Sequence, residues 1–508
     1  MPFLDYYGDL GVHIFGEPVT AFTAIFLAVA LGLALAFEFV NGFHDTANAV
    51  ATVIYTHSLK PNVAVVWSGL WNLTGVMLSA GTVAYSIVAL LPVELVINVG
   101  SGAGWAMVFA LLISAIIWNL GTWYFGLPAS STHTLTGSIM GVGLANSLLS
   151  KGHAFGEGVN WAKAKDVGIT LLVSPVIGFV CAGALLLLAK WLIKRPELFQ
   201  SPEPGKAPPH WVRGLLILTC TGVSFAHGSN DGQKGMGLIM LIMIGVLPGA
   251  FALDLHTDKA GVAKIVAVSQ AAAPIFDRHA AAVGAPLSAS AANEVLSAYL
   301  KPKGAVSDTT YAALSAMDHD VTARLADKTA LTELAREDRK TVRTEFYLMS
   351  ASAEKLAKQK AVTDSADVKT LGAMRKELDK ATKFIPNWVK VAVAFALGLG
   401  TMIGWKRIVV TVGEKIGKSH LTYAQGASAE LVAMCTIMAA DRYGLPVSTT
   451  HVLSSGVAGT MAANHSGVQM ETLRNLLLAW VLTLPVCVFL GALTFSAGFY
   501  AVLALGLR

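Results

Sequence analysis

Charge is scarce in this chain. Asp, Glu, Lys and Arg make up 14% of its 508 residues, against about a quarter in an ordinary soluble domain. Hydrophobic residues account for 54%, and mean hydropathy is +0.59. That balance excludes a large soluble enzyme and points to a polytopic membrane protein. Cysteine is nearly absent as well. Cys181, Cys220, Cys435 and Cys487 stand far apart inside apolar runs, with neither a disulfide framework nor a metal-ligand spacing, and read as small buried hydrophobes. A net charge of +5 is too small over this length to suggest nucleic acid as a partner. No basic segment precedes the first apolar run, which follows Asp5, Asp9 and Glu17, so a cleaved signal peptide is not expected.

What the chain has instead is apolar runs interrupted in a patterned way. Residues 21–40 are long enough to span a bilayer, for which about 20 suffice. The run continues through the polar stretch Asn41-Gly42-Phe43-His44-Asp45-Thr46-Ala47-Asn48 into residues 49–55, which predicts a broken helix. Residues 63–84 read as a second span. Two arms, 105–125 and 131–149, meet at Leu127-Pro128 with no polar loop between them and read as a re-entrant helical hairpin. Residues 167–193 span again and close a first transmembrane repeat over 1–193.

Lys190, Lys194, Arg195, Lys206 and Arg213 mark the linker 194–212 as cytoplasmic by the positive-inside rule. The second repeat, 213–253 and 387–508, follows the same plan. A long run is broken by His227-Gly228-Ser229-Asn230-Asp231-Gly232-Gln233-Lys234, and a hairpin turns at Leu445-Pro446. Residues 254–386 depart from it, being rich in Ala, Lys, Asp, Glu and Arg, and read as a soluble helical insertion. The fold expected is therefore all-α: two inverted-topology repeats, each with a broken helix and a re-entrant hairpin. With three crossings and a hairpin per half, a cytoplasmic linker places both termini and the insertion on the outer, periplasmic side of a bacterial inner membrane. The basic cluster Lys406, Arg407, Lys415 and Lys418 then falls inside. A cysteine placed within residues 354–358 is expected to react with an impermeant reagent in intact cells; labelling only after lysis would reverse the topology.

The hairpin turns share wording: Ser130-Ser131-Thr132-His133 in the first, Ser448-Thr449-Thr450-His451 in the second. A helix start at mid-membrane offers unpaired N–H groups and the positive end of the helix dipole, and the six hydroxyls add donors without adding charge. This suits a tetrahedral oxyanion, although a single copy is equally well an N-cap. Asp45 and Asp231 occupy matching positions, beside His44 and Asn230. Carboxylates next to an anion site imply a coupling cation: a proton, Na⁺ or a divalent metal. Asn48 faces Lys234 across the repeat, so the two copies differ in charge; Lys234 either contacts substrate or pairs with a carboxylate. Glu38 and Glu430 are further intramembrane acids, of which Glu430 is the better coupling candidate. His44, His133, His227 and His451 suit proton relay or a structural role. Asn72 and Asn119 are candidates to line the path, while Trp118 and Trp123 read as packing. The one near-match to a nucleophile elbow, Gly426-Ala427-Ser428-Ala429-Glu430, lacks the final glycine, so no enzyme is expected.

These duplicated motifs resemble those of the PiT family of inorganic phosphate transporters, whose signature is of the Gly-Ala-Asn-Asp-x-x-Asn-Ala type. The resemblance covers nearly all of the sequence outside residues 254–383 and is nearest to bacterial low-affinity members. It implies a symporter that imports inorganic phosphate, as a neutral complex with a divalent cation such as Mg, Ca or Zn, coupled to protons and working by alternating access. The implied substrate site is Asp45, Asn48, Ser130, Ser131, Thr132, Asn230, Asp231, Ser448, Thr449 and Thr450. The implied coupling-ion site is His44, Asp45, Asp231, Lys234 and Glu430. No cofactor and no resident metal are implied, and a homo-oligomer in the lipid bilayer is compatible. Where the family usually has asparagine, this chain has His44 and Lys234, which favours protons over sodium. The alternatives that remain are a sodium-coupled phosphate symporter and a symporter of sulfate or another tetrahedral oxyanion.

Overall fold

The computed structural model describes residues 11–90, 100–149, 155–157, 159–203, 205–283, 287–301 and 304–506, apart from the side chains of residues 46–48, 163 and 282. The architecture is helical, with one two-stranded hairpin, β1 (Gly11–Ile14) and β2 (Glu17–Thr20), among the described residues. In chain order the first half supplies α1 (Ala21–Tyr55), α2 (Pro61–Leu78), α3 (Thr82–Val88), α4 (Gly102–Tyr124), α5 (Ser131–Leu149) and α6 (Trp161–Leu192). Then come α7 (His210–Val246) and the insertion helices α8 (Lys259–Ala280), α9 (Ala289–Leu300), α10 (Asp308–Leu325), α11 (Arg336–Lys358) and α12 (Ser365–Thr382). The chain closes with α13 (Asn387–Met402), α14 (Lys406–Val410), α15 (Tyr423–Arg442), α16 (Thr449–Ala463) and α17 (Met470–Ala504).

The protein is a multi-pass membrane protein. Among the described residues, α1, α4, the bulk of α6 (Ala164–Leu192) and α17 are each long and apolar enough to cross a membrane. Their apolarity is turned outward: Leu172, Val176, Val180, Val481, Phe489 and Leu493 are exposed, as a lipid-facing surface requires. The hairpin arms α5 and α16 are the reverse. From Ser131 to Ile139, and from Thr449 to Met461, every residue is buried, so their hydroxyls and imidazoles are enclosed by protein.

The predicted helix breaks are not where the polar motifs are. Both α1 and α7 run as continuous helices through them, 35 and 37 residues long. At 1.5 Å per residue each exceeds 50 Å, well over the ~30 Å of a hydrocarbon core. The backbone has no need to open there, because partners on other elements satisfy the polar side chains. A sharp bend is found between α2 and α3, which meet at 79°. Both hairpins are present, turning at residues 125–130 and 443–448.

Two reciprocal helix pairs hold the membrane part together. Arm α5 of the first hairpin packs on α17, and arm α16 of the second packs on α6. Glycine makes both contacts possible. A Cβ on Gly141 would lie 2.1 Å from the Val488 carbonyl oxygen, and one on the matching Gly459 would lie 2.1 Å from that of Phe179. The duplicated hairpins thus reach into opposite halves of the sequence.

The insertion belongs to a separate compact unit that also takes in the β-hairpin and residues 240–253. Its helices are amphipathic: on α11, Val342, Phe346, Met349, Ala353 and Leu356 are buried at helical spacing. Asp258, Ser288, Ser307 and Asp364 cap four of its helices. Its ends close on each other through Asp254 N donating to Ala381 O at 2.8 Å. The β-hairpin, which hydropathy does not reveal, is tied down by Glu17, whose Oε1 accepts from Ala250 N at 2.5 Å, and by Arg336 donating to the Gly16 carbonyl.

Burial, reinforced by the nearby carboxylates of Asp320 and Asp338, pushes Glu345 in this unit up to about 8. Burial likewise pushes Asp318 up to about 7. Between the unfolded carboxylate pKa and these raised values the folded state holds the extra protons. Stability therefore falls as pH rises from about 4 to about 8 and then levels. Replacing Glu345 by Gln should slow hydrogen exchange in α11 of the intact protein at pH 8.5 and change it little at pH 5. Equal effects at both pH values would contradict a neutral native Glu345.

Candidate ion and substrate site

The two hairpin tips meet. Thr132 Oγ1 donates to Val447 O at 2.8 Å, and the rings of His133 and His451 lie 4.7 Å apart. His451 also stacks on Trp480 at 4.2 Å, whose Nε1 donates to Pro128 O at 3.1 Å. These two histidines hold tip to tip. Ser130 and Ser448 cap the arms: Ser130 Oγ accepts from His133 N at 3.2 Å and Ser448 Oγ from His451 N at 3.1 Å. The capping role open to one copy is therefore present in both, and each hydroxyl still keeps its own proton to donate.

Against these tips lie the motif faces of α1 and α7. Asp45 and Asp231 are 2% and 0% exposed, and Ser131 joins them: its Oγ lies 3.4 Å from Asp45 Oδ2 and 3.4 Å from Asp231 Oδ2. One hydroxyl proton serves only one carboxylate at a time. The same Oγ accepts from Lys234 Nζ at 3.0 Å, and Lys234 pairs with Asp231 Oδ2 at 2.7 Å. From the second hairpin Thr450 donates to Asp45. The repeats contribute unequally, Ser131 from one tip and Thr450 from the other. Thr449 is buried beside them.

His227 completes the cluster. Its Nε2 lies 3.4 Å from Asp231 Oδ2 and 3.6 Å from Asp45 Oδ2, and its Nδ1 lies 2.6 Å from Asn72 Oδ1. Asn72 reaches it because Gly228 lets α7 touch α2: a Cβ there would lie 2.1 Å from the Asn72 carbonyl oxygen. In the sequence His227 stands out only as one of four motif histidines. Its position one helical turn before Asp231, on the same face of α7, was the available signal.

The other expected residues lie nearby or elsewhere. His44 contacts Thr122 Oγ1 through Nε2 at 3.1 Å, with Nδ1 4.0 Å from Asp45 Oδ1. Asn230 Nδ2 donates to Leu445 O at 3.4 Å, so it anchors the second turn. The Asn48 side chain lies outside the described residues. Glu430 is buried but accepts from Thr219 Oγ1 at 2.5 Å. Thr219 lies two turns before His227 on α7, about 12 Å along the axis, so Glu430 is not brought into the cluster. Glu38 is bonded by Asn41 Nδ2 at 3.4 Å. Asn119 accepts from Thr134 Oγ1 at 3.0 Å inside the first hairpin, and Trp123 Nε1 donates to Gly404 O at 2.7 Å. Asp441 had no sequence signal. At the end of α15 it accepts from Ser229 at 2.7 Å and Gln233 at 2.5 Å, latching α7 to the second tip.

Buried carboxylates, a buried ammonium and hydroxyls at two helix starts thus meet inside a helical membrane protein. A profile of the phosphate transporter family matches residues 41–491. The low-affinity inorganic phosphate transporter PitA of Escherichia coli K12 is 40% identical over 507 residues, covering 96% of this chain and 98% of that one. PitB of the same strain is 40% identical over 497 residues, covering 94% and 97%. The chain belongs to the phosphate transporter family, whose members are transporters and not enzymes. Among solved structures, one described as the sodium-dependent phosphate transporter shares the fold, with a TM-score of 0.51 at 21% identity over 93% of this chain and 98% of that one.

Proposed function

We propose that the protein imports inorganic phosphate, carried as a neutral complex with a divalent cation, together with protons, by alternating access between two inverted repeats. The observation that carries this reading is the meeting of Asp45 and Asp231 at Ser131 and Lys234. Lys234 and the hydroxyls of Ser131 and Thr450 supply donors to phosphate oxygens. The two carboxylates supply acceptors for a phosphate O–H, which HPO₄²⁻ has and sulfate lacks. Because the carboxylates are buried, the conformation is closed around the site, and a carrier must open it to one side at a time. Lys234 already occupies a cationic position 2.7 Å from Asp231, which favours protons over sodium.

Energetics supports cotransport. One charge moved through 100 mV is worth about 2.3 kcal/mol, so HPO₄²⁻ entering alone against an inside-negative potential costs about 4.6 kcal/mol. A dication cancels that term, and an added proton makes entry downhill. In this reading the membrane is the bacterial inner membrane, with linker 194–212 inside and both termini and the insertion outside.

The test is labelled phosphate uptake by proteoliposomes, with pH, Na⁺ and Mg²⁺ varied separately. Saturable uptake should rise with an inward proton gradient and with Mg²⁺, be indifferent to Na⁺, and be competed poorly by excess sulfate. Strong sulfate competition would point to the wider oxyanion class, and Na⁺ dependence would replace the proton.

A further inference from the structure

The cluster of Asp45, His227 and Asp231 presents an unusual hydrogen-bond balance. Each residue offers a ligand atom, and the three atoms lie within 4.8 Å of one another in a buried site. The amide of Asn72 is oriented by its Nδ2, which donates to Ser68 Oγ at 3.4 Å and to Thr401 Oγ1 at 3.3 Å. Its oxygen is thereby turned to His227 Nδ1 at 2.6 Å, which makes Nδ1 the protonated nitrogen of the neutral ring. Nε2 then carries a lone pair. Two carboxylate oxygens lie 3.4 and 3.6 Å from it, and Nε2 has no hydrogen-bond partner of acceptable geometry; neither has Asp231 Oδ1. In the neutral ring these contacts at 3.4 and 3.6 Å set acceptor against acceptor, a balance that either a proton on Nε2 or a metal cation between them restores.

The spacing suits a small one. For metal–ligand bonds of about 2.1 Å, the 3.6 Å between His227 Nε2 and Asp45 Oδ2 subtends about 118°, close to the tetrahedral value. The Asn72–His227 contact is the outer support that metal-bound imidazoles ordinarily have. Lys234 pairs with the same Asp231 oxygen that faces His227, Oδ2, so Asp231 offers the ion its other oxygen, Oδ1, which has no hydrogen-bond partner.

The geometry points to Asp45, His227 and Asp231 as the subsite for the metal of the metal–phosphate cargo, with phosphate completing the fourth position. It also assigns the preferred metal class: borderline divalent ions such as Zn²⁺ and Co²⁺ over Ca²⁺ and Mg²⁺, because imidazole suits the former and all-oxygen sets the latter. This rests on the metal–phosphate reading above. It goes further in naming the ligands and in making His227 the residue that sets metal preference.

Purified protein in detergent should bind Zn²⁺ in a calorimetric titration, more tightly with phosphate present, and Co²⁺ should give the intense visible bands of a near-tetrahedral site. His227→Asp should weaken Zn²⁺ at least 100-fold while leaving Ca²⁺ unchanged or tighter. Asn72→Ala, which leaves all three ligands in place, should weaken Zn²⁺ about 10- to 100-fold. Zn²⁺ affinity unaltered in both variants, or Zn²⁺ and Ca²⁺ weakened equally by His227→Asp, would overturn the assignment. Phosphate uptake by the wild-type protein is scored separately. Uptake without His227-dependent Zn²⁺ binding removes the metal subsite and leaves phosphate transport standing. His227-dependent Zn²⁺ binding without uptake keeps the subsite and removes the phosphate reading.

Discussion

Replacing Asp45 by asparagine is expected to lower the initial rate of phosphate uptake at least 100-fold while the protein still inserts and elutes as wild type. Asp45 accepts from Ser131 and Thr450 and faces His227 at 3.6 Å. An asparagine amide turns one of its two acceptor oxygens into a donor, which then meets the hydroxyl of Ser131 or Thr450 donor to donor. Hydrogen bonds to a charged group contribute about 1.5–3 kcal/mol each, so two of them amount to roughly 3 kcal/mol or more, and 1.4 kcal/mol is a factor of ten. The variant keeps size and shape, so folding is preserved. An uptake rate within threefold of wild type, at equal protein in the membrane, would remove Asp45 from the substrate site. Asp231→Asn is the less clean experiment, because it leaves Lys234, 0% exposed, without its carboxylate, and an unpaired buried charge destabilises the fold.

The second large effect concerns assembly. Gly459→Leu should prevent accumulation of folded protein, with a destabilisation on the order of 3 kcal/mol or more. Its first added atom alone would stand 2.1 Å from the Phe179 carbonyl oxygen. That obstacle is backbone of α6 and cannot rotate away. Gly141→Leu, against Val488 O in the other pair, should behave alike. Gly121→Ala, where nothing lies within 4 Å, is the control. Thermal unfolding in detergent reads the difference, and wild-type behaviour of Gly459→Leu would mean that the α6–α16 contact is not close-packed in the membrane.

Much of the site was legible before folding because the chemistry is costly where it occurs. Carboxylates, an ammonium and clustered hydroxyls inside apolar runs are expensive in lipid, so Asp45, Asp231, Lys234, Ser131 and Thr450 stand out without any coordinates. The hairpins were legible for a related reason: an apolar run that turns at Leu-Pro and returns without a polar loop has few ways to fold. The helix breaks were inferred by the same logic and are absent, because a polar side chain mid-helix asks for a partner, not for an open backbone. His44 found Thr122, and Gln233 found Asp441.

The sequence by itself determined that this is an all-helical membrane protein with duplicated polar motifs and a charged insertion, since hydropathy and repetition are local properties of a chain. Only the tertiary structure decided which hydroxyl serves which carboxylate, that Asn72 orients His227, and that Glu430 belongs to a different neighbourhood. Thr450 and Asp45 are 405 residues apart, and Asn72 and His227 are 155 apart. Such pairings depend on how glycine-lined helices cross, and a crossing angle or a sub-ångström approach leaves no trace in periodicity. The asymmetry of the site, one serine from the first tip and one threonine from the second, was decided at that level too. Sequence identity makes the tips near-equivalent, and packing against α1 and α7 makes them different.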